Sequence, residues 1–222
     1  MSTTVPVIAT QILQVLGALL LLTAFATIAS RHLVEYIRAF AAQSLVLAAV
    51  ATTVGYFAHS IDLFVVAILT VLVKTGLITY ILKNVASRLH LQREVGLYLN
   101  VPASLLAGVL LVLLAFFASP AVVAPGTFLN EPPLAVSMAL VLIGLFIIST
   151  RRHAIAQVLG LLTIENGLFS GAIAIAYGMP LIVELGILFD IFVAVLVMGL
   201  LVMLIQREVV SADTAELRQL RG

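Results

Sequence analysis

The chain has 222 residues, of which 63% are hydrophobic and only 9% charged, with a formal net charge of +1 and no cysteine. An ordinary soluble domain carries roughly 25% charged residues, so this composition leaves too little polar surface for water and points to a bilayer as the main solvent. Disulfides, thiolate-held metal clusters and cysteine nucleophiles are excluded, and the scattered, near-neutral charge gives nucleic acid no footprint.

Apolar runs of spanning length predict seven helices, at about 7–29, 39–58, 61–82, 101–119, 133–150, 154–177 and 180–206. The first lacks a positively charged leader and is long enough to span. It therefore reads as a retained helix, although "AFATIAS" offers small residues at cleavage-site spacing. Arg31 to Arg38 form a charged turn, His59-Ser60 a tight polar one, and Lys83 to Asn100 a longer polar connection. The stretch "SPAVVAPGTFLNEPP" holds four of the seven prolines and is expected to interrupt helix. Arg151-Arg152-His153 and Gly178-Met179-Pro180 supply the last two turns. Backbone in lipid must satisfy itself, so the predicted fold is an all-α integral membrane bundle of seven transmembrane helices.

The positive residues set an orientation. Arg31 and Arg38 fall in the first loop, Lys83, Arg88 and Arg93 in the third, Arg151 and Arg152 in the fifth, and Arg207, Arg218 and Arg221 in the tail. The even-numbered loops hold none, which places the N-terminus outside and the C-terminus in the cytoplasm. Residues 207–222 then form a short charged cytoplasmic tail.

Lys74, Glu165, Glu184 and Asp190 lie within the predicted spans. An ionisable group at a helix centre costs roughly 2.5–3.5 kcal/mol on insertion scales, so such residues are functional candidates facing a bundle interior or a wet cavity. Lys74 is thirteen residues beyond Ile61, Glu165 thirteen beyond Arg152 and Asp190 ten beyond Pro180. At about 1.5 Å per residue, all three are expected near the midplane, whereas Glu184 sits nearer the outer surface. Carboxylates and a lysine at one depth suit proton transfer, because burial narrows the gap in proton affinity between acids and amines. The same residues could instead form static interhelical pairs or contacts with another subunit.

Thr163, Asn166 and Ser170 make a polar stripe beside Glu165 on the sixth predicted helix. Gly160, Gly167 and Gly171 are assigned to helix packing, the last two as a GxxxG pair that lets another helix approach closely. Gln11, Gln14 and Gln43 are expected to be interhelical hydrogen-bond partners, and the four histidines are too scattered to cluster on a metal. No phosphate loop, His-Glu metal motif or nucleophile arrangement is present, so bond chemistry by this chain alone is not expected.

The stretch "ALVLIGLFIISTRRHAIAQVLGLLTIENGLFSGAIAIAYG" resembles the first two helices of the K subunit of complex I, with its Arg-Arg turn, Gly160, Leu161 and Asn166. The ending "AELRQLRG" resembles that family's tail. The family's first membrane glutamate corresponds to Leu162 here, with the acid three residues later at Glu165. Its second has Asp190 or Glu184 as counterpart. Together with the four preceding helices, the chain resembles the hydrogenase-4 component E family, membrane subunits of nickel–iron hydrogenase and formate hydrogenlyase-type complexes.

The resemblance implies a division into residues 1–132, a four-helix membrane region, and 133–206, a three-helix region like the K subunit. It further implies a noncatalytic inner-membrane subunit of an oxidoreductase complex. The nickel–iron centre and iron–sulfur clusters would belong to partners: antiporter-like membrane subunits, a quinone-site-like anchor subunit and a peripheral hydrogenase arm. Proton translocation through Glu165, Asp190, Lys74 and Glu184 is the expected contribution of this chain. A freestanding secondary transporter, a cation/proton antiporter component and a purely structural spacer are the alternatives.

Overall fold

A computed structural model describes residues 7–88, 99–122 and 131–175. The elements are α1 (Val7–Ala29), α2 (Leu33–Ala58), α3 (Ile61–Thr70), a π-helical stretch (Val71–Ile78), α4 (Thr79–Arg88), α5 (Val101–Val122), α6 (Glu131–Thr150) and α7 (Ala154–Ile175). α3, the π stretch and α4 form one continuous rod. Six helical spans among the described residues are long and apolar enough to cross a membrane, and the protein is a multi-pass membrane protein. The expected seventh, at 180–206, lies outside the described residues.

Several expected boundaries are corrected. α2 begins at Leu33, so most of the supposed turn from Arg31 to Arg38 is helical. The reason is local. The Glu35 carboxylate reaches back to the backbone N–H groups of Arg31 and His32, at 3.3 and 3.4 Å, and satisfies donors that a helix start leaves open. α4 continues to Arg88, so the first residues of the polar connection from Lys83 are also helical.

α5 runs through Pro120 to Val122. Pro120 cannot donate to the carbonyl of Phe116, and the Ser119 hydroxyl donates to that carbonyl instead, at 3.2 Å. Pro132 and Pro133 fall inside the first turn of α6, where backbone N–H groups have no intrahelical partner to lose. The α2–α3 turn is as tight as expected. His59 takes a left-handed conformation, φ 53°, and its N–H and that of Ser60 both donate to Gly55.

α2 is central, packing on α1, on the rod and on α7, while α6 packs on α1, α5 and most extensively on α7. The most apolar stretch of α7 is 61% buried and that of α5 17%, so α7 is an interior helix and α5 a peripheral one. Phe117 on α5 is 88% exposed, as befits a side chain facing lipid.

Lipid tails compete on equal terms for apolar side chains, so close backbone approach has to hold such helices together. The α6–α7 seam provides it. A Cβ on Gly144 would lie 2.7 Å from the Gly160 carbonyl, and one on Gly167 would lie 2.9 Å from the Ser137 carbonyl. Gly160, Gly167 and Gly171 all face α6.

Candidate functional site

Lys74 sits in the π stretch, a rare geometry that appears often at functional sites. The Thr79 hydroxyl, just past the stretch, donates to the Lys74 carbonyl at 3.0 Å. The side chain turns inward and is only 2% exposed.

Polar side chains of α7 and α2 gather around it. Lys74 Nζ lies 2.8 Å from Glu165 Oε1 on α7. It also donates to Asn166 Oδ1 at 3.2 Å. Asn166 Nδ2 in turn donates to Gln43 Oε1 on α2 at 3.1 Å. That second bond sets the amide: with the NH2 end held by Gln43, the oxygen end faces the ammonium. The Phe169 ring, one turn on from Glu165, stands 5.8 Å from Nζ and adds its negative face to the cation's surroundings.

Glu165, Asn166 and Gln43 are 4%, 0% and 0% exposed, so the whole cluster is shut away from bulk solvent. In such surroundings a lone charge is far costlier than a paired one.

The expected candidates divide as follows. Lys74, Glu165 and Asn166 come together. Thr163 is buried, but its hydroxyl donates to the Leu159 carbonyl of its own helix at 2.9 Å. Ser170 is buried one turn further along α7. Leu162 is fully buried in the apolar core one turn before Glu165. Glu184 and Asp190 lie outside the described residues. Gln43 joins the cluster, whereas Gln11 and Gln14 are exposed. Among the described residues, no group of three or more His, Cys, Asp or Glu could hold a metal ion.

Arg151, expected simply as a charge of the fifth loop, is buried. It is 1% exposed, donates from Nη2 to the Ile28 carbonyl at 2.7 Å, and stands 5.5 Å from the centroid of the Tyr36 ring. The last carbonyls of α1 lack intrahelical donors and carry the negative end of its dipole, and a guanidinium there meets both needs. Burial lowers the Arg151 pKa from its ordinary value, and the neighbouring Tyr36 partly offsets this. Gln157 closes the corner by donating to the Arg151 carbonyl at 2.9 Å. Arg151 thus ties α1 and α2 to the α6–α7 turn, while Arg152 beside it is exposed. Two adjacent arginines look alike in sequence, and only the carbonyl and ring opposite Arg151 distinguish them.

Comparison with known proteins places these residues in a family context. Residues 132–222 match the family described as NADH-ubiquinone/plastoquinone oxidoreductase chain 4L. An uncharacterized protein of Mycobacterium tuberculosis is 36% identical over 194 residues, covering 86% of this chain and 87% of its own. The hydrogenase-4 component E proteins of Escherichia coli K12 and Shigella flexneri are each 31% identical over 187 residues, covering 82% of this chain and 85% of their own. No solved structure is a significant match to the chain.

Proposed function

The chain belongs to the hydrogenase-4 component E family, and from that membership we propose that it is a noncatalytic membrane subunit of a hydrogenase-like, complex I-related respiratory complex in the inner membrane. Its task there is to help carry protons through the membrane arm. Glu165 is the central protonatable group and Lys74 its charge partner. Asp190 is the next carboxylate and Glu184 lies towards the outer exit. Residues 1–132 supply the lysine-bearing rod, and residues 133–206 the K-like unit with the carboxylates.

The observation that carries this reading is the buried pair of Lys74 Nζ and Glu165 Oε1 at 2.8 Å, near mid-span. A proton reaching Glu165 neutralises the carboxylate and loosens its hold on Lys74, which still donates to Asn166 Oδ1, itself held by Gln43. Loss of the proton to the next group restores the pair. Asn166 and Gln43 position the lysine and exchange no proton themselves.

Partners in this proposal are antiporter-like membrane subunits, a quinone-site-like anchor subunit and a peripheral hydrogenase arm. Nickel–iron and iron–sulfur chemistry belongs to that arm. The donor set of this chain does not fit such centres, since cysteine is absent and no described group of three ligand-type residues gathers.

Gentle solubilisation and purification through a C-terminal tag tests the subunit assignment. Co-purifying antiporter-like subunits with a nickel–iron peripheral arm is the expected result. Recovery of the chain alone, or only as a homo-oligomer, would overturn it.

A further inference from the structure

Gly55 sets the register of α2 against the rod: a Cβ there would lie 3.0 Å from Leu63 Cβ and 3.5 Å from a Phe64 ring atom. Ser44 is eleven residues before Gly55, and Thr75 is eleven residues after Phe64. Eleven residues close three helical turns to within about 20°, so Ser44 faces the rod as Gly55 does, about 16 Å further along. Thr75, on the π stretch, arrives at about that level from the other chain direction. Their chain neighbours Gln43 and Lys74 already belong to the buried cluster.

Three buried polar atoms at this level have no hydrogen-bond partner among the described residues: Gln43 Nε2, Ser44 Oγ and Thr75 Oγ1. The hydroxyls of Thr52 and Thr53, on the same helix as Ser44, donate to carbonyls one turn back, each at 2.8 Å. Ser44 and Thr75 leave that ready alternative unused. A buried polar group without a partner is costly, and ordered water meets such needs with about two to four hydrogen bonds.

We propose that α2 and the π stretch hold a buried water site at the level of Lys74, bounded by Ser44 Oγ, Thr75 Oγ1 and Gln43 Nε2. The donor set selects water. Gln43 Nε2 can only donate, whereas a hydroxyl both donates and accepts, so the ligand has to do both as well. A metal cation would face the amide hydrogens of Gln43 and the amine of Lys74. An anion would find nothing to balance it, because the resting Lys74–Glu165 pair has no net charge whichever member holds the proton. A small neutral molecule with two donors and two acceptors meets every requirement.

Such a water lies one residue along each helix from Gln43 and Lys74, on the N-terminal side of the chain rather than beside the carboxylates of the K-like unit. It places an exchangeable proton carrier next to the lysine. The inference goes beyond the relay reading without resting on it, since the polar atoms need a partner whether or not protons pass.

Absence of cysteine makes the test direct. Ser44→Cys and Thr75→Cys nearly keep the size of the native side chains, and a thiol S–H stretch absorbs where no other side chain does. Each variant, as the full chain in lipid vesicles, is moved from H2O to D2O and followed by infrared spectroscopy. Ala51→Cys, in the apolar core two turns along α2, is the dry control. Both thiols are expected to exchange about tenfold faster than the control, or more. Exchange as slow as at Ala51→Cys in either variant would overturn the proposal.

Thermal unfolding of Ser44→Ala and Thr75→Val gives a second reading that needs no thiol. Removing a hydroxyl that binds water should lower the melting temperature by about 2–4 °C, and the double variant should lose less than the sum, since one water serves both. A hydroxyl idle in a dry site only costs stability, so an unchanged or raised melting temperature would equally overturn the proposal. Proton transport judges the relay separately. A wet site beside an idle Glu165 would sink the relay alone, and a dry site beside a working one would sink this proposal alone.

Discussion

Lys74, on a π-helical stretch of the third span, meets Glu165 on α7 at 2.8 Å, in surroundings where their side chains are 3% and 6% exposed. The two groups make each other's charge tolerable. Removing one partner of a buried pair costs about 3–5 kcal/mol, because an uncompensated charge is left behind, whereas neutralising both is far milder. Glu165→Gln and Lys74→Met should each lower stability markedly, and the double variant should recover much of the loss. Unfolding titrations of gently solubilised protein, arranged as a double-mutant cycle, measure the coupling. Additive losses would mean the pair is not coupled.

The α6–α7 seam predicts a contrast between glycines. A Cβ at Gly144 would meet Gly160 carbonyl oxygen at 2.7 Å and Ile164 nitrogen at 2.9 Å, and backbone cannot step aside as a side chain can. At Gly17 the nearest atom is a Val136 methyl at an ordinary 3.4 Å. Gly144→Ala should therefore cost about 1–3 kcal/mol through overpacking. Gly17→Ala should be neutral, or gain up to about 1 kcal/mol of helix propensity. Melting temperatures of the two variants check this directly.

The Arg151 corner separates two roles of one contact. Arg151→Lys keeps a cation but loses the guanidinium contact with the Tyr36 ring and the fixed bond to Ile28, so it should cost about 1–2 kcal/mol. The Tyr36 hydroxyl is buried without a hydrogen-bond partner among the described residues. Tyr36→Phe keeps the ring and should change stability by less than about 0.5 kcal/mol, or raise it. Thermal unfolding that ranked the two the other way would contradict the clasp described here.

Thr79 tests the π stretch. Its hydroxyl serves the Lys74 carbonyl at 3.0 Å. Thr79→Val preserves shape and removes that donor, so it should cost about 1 kcal/mol. Amide hydrogen exchange over residues 71–79 should accelerate with it while α7 stays protected. Unchanged exchange would show that the hydroxyl does not stabilise the π turn.

How much of this was legible in the sequence depends on how far each feature acts. Helices of apolar spanning length, the tight turn at His59 and the faces of Gly160, Gly167 and Gly171 follow from short-range pattern, and the described residues have them. Glu165 and Lys74 drew notice because charge in an apolar run is costly wherever it falls. Their common depth near the midplane was legible from the span lengths, and an interhelical pair was one of the open readings, but nothing local says that the third and sixth spans turn these two side chains towards each other. The π stretch was hidden for a related reason: Val71 to Ile78 carries no residue that forbids an ordinary helix. The burial of Arg151 was not legible, because the partners that receive it, the Ile28 carbonyl and the Tyr36 ring, are remote in sequence. Pro120 misled too, until Ser119 took over the carbonyl it abandons.

The central claim is that the Lys74–Glu165 pair relays protons, and the most direct measurement is the ratio of protons moved to electrons transferred. Inside-out membrane vesicles carrying the assembled complex would be followed with a pH-sensitive dye while the complex turns over, for the natural protein and for Glu165→Gln. The account predicts continued electron transfer and a lowered proton-to-electron ratio in the complexes that assemble with the less stable variant. An unchanged ratio in a fully assembled Glu165→Gln complex would contradict it.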